Sequence, residues 1–413
     1  MKKRLFSIFF FLLTYSALLA QCPTVSITTT GSVCSAASVG ITGNTSGGIY
    51  FDWDFCAGDF ENPVLDTTST DMNGLLLTSA GVAALSDSTG DYLFVCSRDN
   101  SKLLRQDFSN GFDNPPTAVT DLGNLNGTIF SANAIAFFND GGIWHCLVSD
   151  IFLNVVTRLD FGNGLNNLPT GTTSVITTGL NAPRGIKIVR EGNGTVYALI
   201  ANFANNSISI FSFGTTIANA PTLVTTLQVP NANGLIDLDI IRDCDHWYAV
   251  ACMYSLPDLV LIDLGNSLSS PSPVYSTYVN GMFYPYGIKL LYDGGQFYSF
   301  CSNSLGSINV HRLGAQLSTP SVLSLPSISI GGGPLSGIDF CKKNSKYYCF
   351  TPIESVHRVK LIQFAEPCNV SSAQSTDSIP ANLLFPVGGN YLVTLGVTDS
   401  NGNVGRDSLL LAV

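Results

Sequence analysis

The chain has 413 residues, of which 12% are charged and 45% hydrophobic, with 39 glycines and a formal net charge of -10. Few charges and abundant turn formers exclude a disordered chain, and the acidic balance argues against nucleic acid or an anionic membrane surface as partner. The length exceeds what one hydrophobic core usually holds, so more than one domain is expected.

Residues 1–20, MKKRLFSIFFFLLTYSALLA, place Lys2, Lys3 and Arg4 before an apolar run and end on Ala20. That is the layout of a secretory signal peptide, and its removal takes the net charge to -13. No later stretch holds the roughly 18 uninterrupted apolar residues of a spanning helix. A secreted or cell-surface protein with no membrane span is expected.

Residues 21–60 carry three short alternating runs separated by Gly, Ser and Thr, which read as β-strands. From there to residue 365 one sentence of sequence recurs about every fifty residues: LLRQDFSNGFDNPPT, VTRLDFGNGLNNLPT, ISIFSFGTTIANAPT, LVLIDLGNSLSSPSP and INVHRLGAQLSTPSV. Apolar innermost strands start near Gly81, Asn133, Arg184, Leu235, Gly287 and Ser336, and Gly, Asp and Asn dominate the turns that follow them. The sixth repeat stops at Phe364 without a fourth strand, while Val64 to Thr68 matches a fourth strand lying ahead of the first repeat. Pairing the two closes a ring with no long edge exposed.

The repeats resemble six-bladed NHL-like and lactonase-like propellers, some of which are metal-dependent lactonases or lyases. The run YFDWDFCAGD resembles the Tyr-x-Trp-Asp-Phe-Gly-Asp-Gly signature of PKD domains, interrupted here by Cys56 and Ala57. In residues 366–413, FPVGGNYLVTLGVTDSNGN resembles the other half of that pattern. The expected fold is therefore all-β: a six-bladed β-propeller (61–365) inserted into an immunoglobulin-like PKD β-sandwich made of residues 21–60 and 366–413, as in surface proteins of gliding bacteria.

Of eleven cysteines, Cys96, Cys146, Cys252, Cys301 and Cys349 fall in the second strands of their repeats and read as buried free thiols. Cys56 and Cys368 stand at the two crossings between domains, where a bridge would staple the insertion, with a pair of unpaired thiols as the alternative. Cys22 and Cys34 are further bridge candidates.

Chemistry is harder to find. The four histidines lie in separate repeats without zinc spacing, and no nucleophile-elbow motif is present. Asp237, Asp239 and Asp339 sit on innermost strands, where they either serve the structure or offer oxygens that calcium would suit; no other cofactor is expected. A ligand is expected where second-to-third strand loops meet the starts of the innermost strands. The residues at those positions are Arg98, Asn133, Asp150, Arg184, Asn202, Tyr254, Tyr286 and Asn303, with Arg184 and Tyr286 ahead of the rest because each precedes a glycine at matching register. No innermost strand carries a Glu, so the sequence reads as a non-catalytic binding or adhesion module for an extracellular carbohydrate or protein. A propeller hydrolase or lyase, or a structural spacer, is the alternative.

Overall fold

The structure, a computed structural model, describes residues 22–413 apart from 31–37, 58–59, 61–62, 65–68, 126, 280–281, 344–345, 365–373, 381–382 and 386–388. The expected signal peptide, Cys34 and Cys368 lie outside the described residues. Among the described residues no helix is long and apolar enough to cross a membrane.

Six sheets share one plan, with consecutive strands paired antiparallel. Their first strands are Ser79–Asp87, Ala132–Asp140, Pro183–Arg190, Leu235–Asp243, Pro285–Asp293 and Asp339–Lys343. Each of these touches the next, and the last touches the first, so they ring a central channel in a propeller-like arrangement. The glycines at their starts answer to this crowding. A Cβ on Gly81 would lie 2.7 Å from the Ala134 Cα, and one on Gly185 2.7 Å from the Asp237 Cα.

Second strands are packed on both faces by neighbouring sheets. All seven residues of Val196–Asn202 are buried, whereas the outer strand Thr222–Gln228 is largely open to solvent. Two-sided burial explains the near-continuous apolar runs of the second strands. It also explains why Cys96, Cys146, Cys252, Cys301 and Cys349 are buried free thiols.

The sixth sheet is completed from the other end of the chain. Pro63–Val64 and Ser69–Asp71 pair with Arg358–Phe364, so the pairing falls on either side of residues 65–68. Ser79 Oγ meets Ser336 Oγ at 2.8 Å across the seam, and the Ala84 N–H donates to Asp339 Oδ2 at 2.9 Å. Phe60, 2% exposed, plugs this closure from within. Its ring lies 4.4 Å from that of Tyr347, 4.9 Å from Phe300, 5.3 Å from Tyr298, 5.5 Å from Phe364 and 6.0 Å from Phe340.

The segments before and after the ring fold together. Gly48–Asp54 pairs with Asn390–Asp399, and Ser38–Thr45 pairs with Leu383–Leu384. The two sheets so formed enclose Ile27, Ile41, Trp53, Phe55, Val393, Leu395 and Val397. The Trp53 Nε1–H donates to the Asp377 carbonyl at 2.9 Å.

This unit docks against the hairpin face of the ring. Cys244 and Val404 exchange backbone hydrogen bonds of 3.1 and 3.0 Å. Arg406 donates to Asp243 Oδ1 at 3.3 Å and to the Arg242 carbonyl at 2.8 Å, with its guanidinium over the Tyr292 and Phe297 rings. Asp54 pairs with Lys342.

The disulfide expectations need one correction. Cys22 is bridged to Cys244, across a separation of 222 residues. Its partner sits in a turn of the fourth sheet, brought within reach by the docking, and not among the cysteines outside the repeats. Cys56 is disulfide-bonded, to a partner outside the described residues.

Candidate active site at the channel mouth

The face opposite the docked unit collects two sets of positions from every sheet. The first residue after the second strand is Arg98, Phe203, Tyr254 and Glu354 in the first, third, fourth and sixth sheets. The starts of the innermost strands add Asn133, Arg184 and Tyr286. Arg98, Asn133, Arg184, Tyr286 and Glu354 line one small cavity of about 40 Å³ at the neck of the channel, with Lys187 and Asp237 in its wall. Four of the eight sequence-derived residues therefore converge, and Tyr254 joins them through its ring, 5.4 Å from that of Tyr286.

Aromatic rings frame the neck. Tyr254 also lies 5.2 Å from Tyr284 and 6.3 Å from Phe203, whose face carries the Arg184 guanidinium at 4.1 Å. On the loops that flank the second sheet, Phe130 and Phe152 meet edge to face at 6.1 Å while remaining 59% and 73% exposed. Exposed rings paired on one face mark a contact surface.

Charge at the neck is unevenly satisfied. Burial lifts the Glu354 carboxyl above the ordinary carboxylate range; Arg98 opposes this, and Asp99 reinforces it. Arg98 lies 3.9 Å from Glu354 and 3.7 Å from Asp99, whose side chain is 59% exposed. Burial and the neighbouring Arg98 lower the pKa of Arg184, which an arginine withstands without losing its charge. Burial likewise raises the Tyr286 phenol, with Glu354 and Tyr254 adding to the effect, so it stays protonated and able to donate.

Asp150, Asn202 and Asn303 are not drawn into the mouth. Each ends a second strand and clamps the loop that follows or faces it. Asp150 accepts from the N–H groups of Phe130, Ser131, Phe152 and Leu153 at 2.6 to 3.1 Å. Asn202 accepts from the Asn181 N–H at 3.0 Å and donates to Ser207 and Ser209. Asn303 donates to Ser307 and Asn309 and accepts from the Leu305 N–H. Recurrence at one register was the signal of a structural position.

The channel aspartates are staples between sheets. Asp237 accepts from the Ile288 N–H at 3.0 Å, and Asp239 from the Leu290 N–H at 2.8 Å. Lys289 holds Asp339 at 2.7 Å and Lys187 reaches Asp239 at 3.6 Å. Burial pushes the Asp237 carboxyl up to about 6. Among the described residues no group of His, Cys, Asp and Glu is arranged to hold a metal ion.

A larger cavity, about 710 Å³, lies on the opposite face between the ring and the docked unit, beside Cys22 and Cys244. Its histidine, His246, is bonded to Asp263 at 2.8 Å, just as His145 is to Asp160 at 2.5 Å in the second sheet. This pairing belongs to the repeat.

Glu354 and Asp99 were missed by sequence reasoning. Glu354 follows the second strand of the incomplete repeat at the register of Arg98, and that register was the available signal.

No protein-family model and no curated relative matches this chain. Among solved structures it is similar to a family-43 β-1,3-galactosidase, at 9% identity and a TM-score of 0.44 over 58% of this chain and 92% of that one. It is also similar to an exo-β-1,3-galactanase from Phanerochaete chrysosporium, at 11% identity and a TM-score of 0.42 over 68% of this chain and 89% of that one. A third likeness is to a PQQ-bound aldose sugar dehydrogenase from Streptomyces coelicolor, at 13% identity and a TM-score of 0.45 over 73% of this chain and all of that one. All three are sugar-active enzymes by name. The expectation of a non-catalytic adhesion module is corrected on this chain's own residues. It rested on the absence of a Glu in an innermost strand, and Glu354 reaches the mouth from the short 3-10 turn that follows the second strand of the sixth sheet.

Proposed function

We propose that this protein is a secreted or cell-surface enzyme that hydrolyses an extracellular saccharide bound across the channel mouth. In this reading the ring is a six-bladed β-propeller carried on an immunoglobulin-like sandwich of the PKD kind. The observation that carries it is the pair of acids beside Arg98: Glu354, half-buried and raised in pKa, and Asp99, in the open. Two carboxyls whose environments differ in this way divide the acid and base roles of glycoside hydrolysis.

Glu354 gives its proton to the glycosidic oxygen as the bond to the anomeric carbon breaks. Asp99 takes a proton from the water that attacks that carbon, so the hydroxyl joins the sugar and the leaving alcohol departs neutral. Tyr286 and Asn133 offer hydrogen bonds to the sugar, and the rings of Tyr254, Tyr284, Phe130 and Phe152 offer apolar faces for it to lie on.

The test is release of reducing ends from a panel of extracellular polysaccharides. Glu354→Gln and Asp99→Asn are each expected to lower kcat by about 10²- to 10⁴-fold with KM little changed. Because Glu354 acts protonated, turnover should fall as pH rises through its elevated pKa, and this limb should vanish in Glu354→Gln. A wild-type protein that cleaves nothing, or two variants with full turnover, refutes the reading.

A further inference from the structure

Arg184 is a half-buried cation on which Glu354 acts only at a distance. Among the described residues it enters no ion pair, and its Nε is buried with no hydrogen-bond partner. Glu354 Oε1 is in the same condition. The guanidinium has instead a ring face, that of Phe203 at 4.1 Å, which orients it without filling its donors. Leaving a buried N–H unpartnered costs free energy, and a fold that keeps one on a guanidinium at a cavity wall holds it ready for an anion.

Size and charge of the neck agree with this. The lining carries three cations, Arg98, Arg184 and Lys187, against two acids, Asp237 and Glu354. Lys187 is committed to Asp239, which leaves the two arginines. A cavity of about 40 Å³ admits an appended group and not a saccharide chain. The planar donor fork of arginine matches paired anionic oxygens.

We propose that Arg184 and Arg98 form the subsite for the anionic oxygens of an acidic saccharide, a uronate carboxylate or a sulfate ester, with the sugar rings held on the aromatic rim above. The proposal rests on the mouth being the saccharide site, and it adds the substrate class. The anionic group sits in the neck beside Phe203, and the scissile bond lies above it, toward Glu354 and Asp99.

The test compares calorimetric binding of trigalacturonate, a neutral galactotriose and its sulfated form to the full mature chain. At least one acidic trimer is expected to bind tenfold or more tightly than the neutral one, with affinity falling as salt is raised. Arg184→Gln should erase the preference, and Arg98→Gln should reduce it if the first variant folds poorly. Which acidic trimer binds identifies the anion as carboxylate or sulfate. Equal affinity for neutral and acidic trimers, or a preference that survives both substitutions, overturns the subsite while leaving hydrolysis at the mouth intact. Arginine-dependent binding of an acidic trimer without cleavage of any glycan would support the subsite and sink the hydrolase reading instead.

Discussion

Phe60→Ala probes how the ring is held shut. Phe60 enters the last sheet from the strap that precedes the first sheet, and its ring touches aromatic side chains from the fifth and sixth sheets at 4.4 to 6.0 Å. Truncating a buried Phe costs about 3–5 kcal/mol when the surroundings cannot collapse. Here the neighbours are rigid rings anchored in separate strands, so the upper half of that range is expected. Since each 1.4 kcal/mol is about tenfold in an equilibrium constant, the fraction of unfolded chain should rise by roughly three orders of magnitude. Urea unfolding reads this as a lower midpoint, and hydrogen exchange should locate it, with the amides of Arg358–Phe364 losing protection first. Phe130→Ala, at a side chain that is 59% exposed, serves as the control and should change stability by less than about 0.5 kcal/mol. A loss below about 1 kcal/mol for Phe60→Ala, or unchanged exchange in Arg358–Phe364, would show that the strap does not hold the seam.

Two other perturbations bear on the scaffold. Replacing Cys22 and Cys244 by serine releases a cross-link spanning 222 residues, and a lowered urea midpoint worth about 2–5 kcal/mol is expected; an unchanged midpoint would mean that the contacts round Arg406 alone fix the docking. His311, 1% exposed beside Ser299, has its pKa lowered to about 4 by burial. It is thus neutral in the fold and protonated in the unfolded chain between that value and about 6.5. Stability should fall by up to about 3 kcal/mol as pH drops through this window. His311→Gln should flatten the slope, and the same acid limb in both proteins would contradict the assignment.

What the sequence determined by itself is whatever repeats. The innermost strands, the tight turns after them, the buried thiols of the second strands and the strap that closes the sixth sheet are each written as a local pattern of apolar residues, glycines and turn formers. Such patterns persist because every sheet meets the same two neighbours. Arg184 and Tyr286 were legible for the same reason, as departures from an otherwise small or apolar position before a recurring glycine. Asp150, Asn202 and Asn303, read from the sequence as ligand positions, clamp loops in the structure, because a polar residue at a loop looks the same whether it faces solvent, ligand or the backbone it clamps. Only the closed ring separates these cases, by showing where the N–H groups of the facing loop lie.

The tertiary structure alone decided the rest. Glu354, Asp99 and Arg98 come from the last and first sheets, some 250 residues apart in the chain, and they meet because the strap brings those sheets edge to edge. Cys22 finds Cys244 because the flanking segments fold as one unit and dock on a particular set of hairpin turns. Periodicity specifies which face of a strand is buried, a property each residue shares with its sequence neighbours. The convergence of single side chains from separate sheets depends on the curvature of the whole ring, which no local pattern encodes.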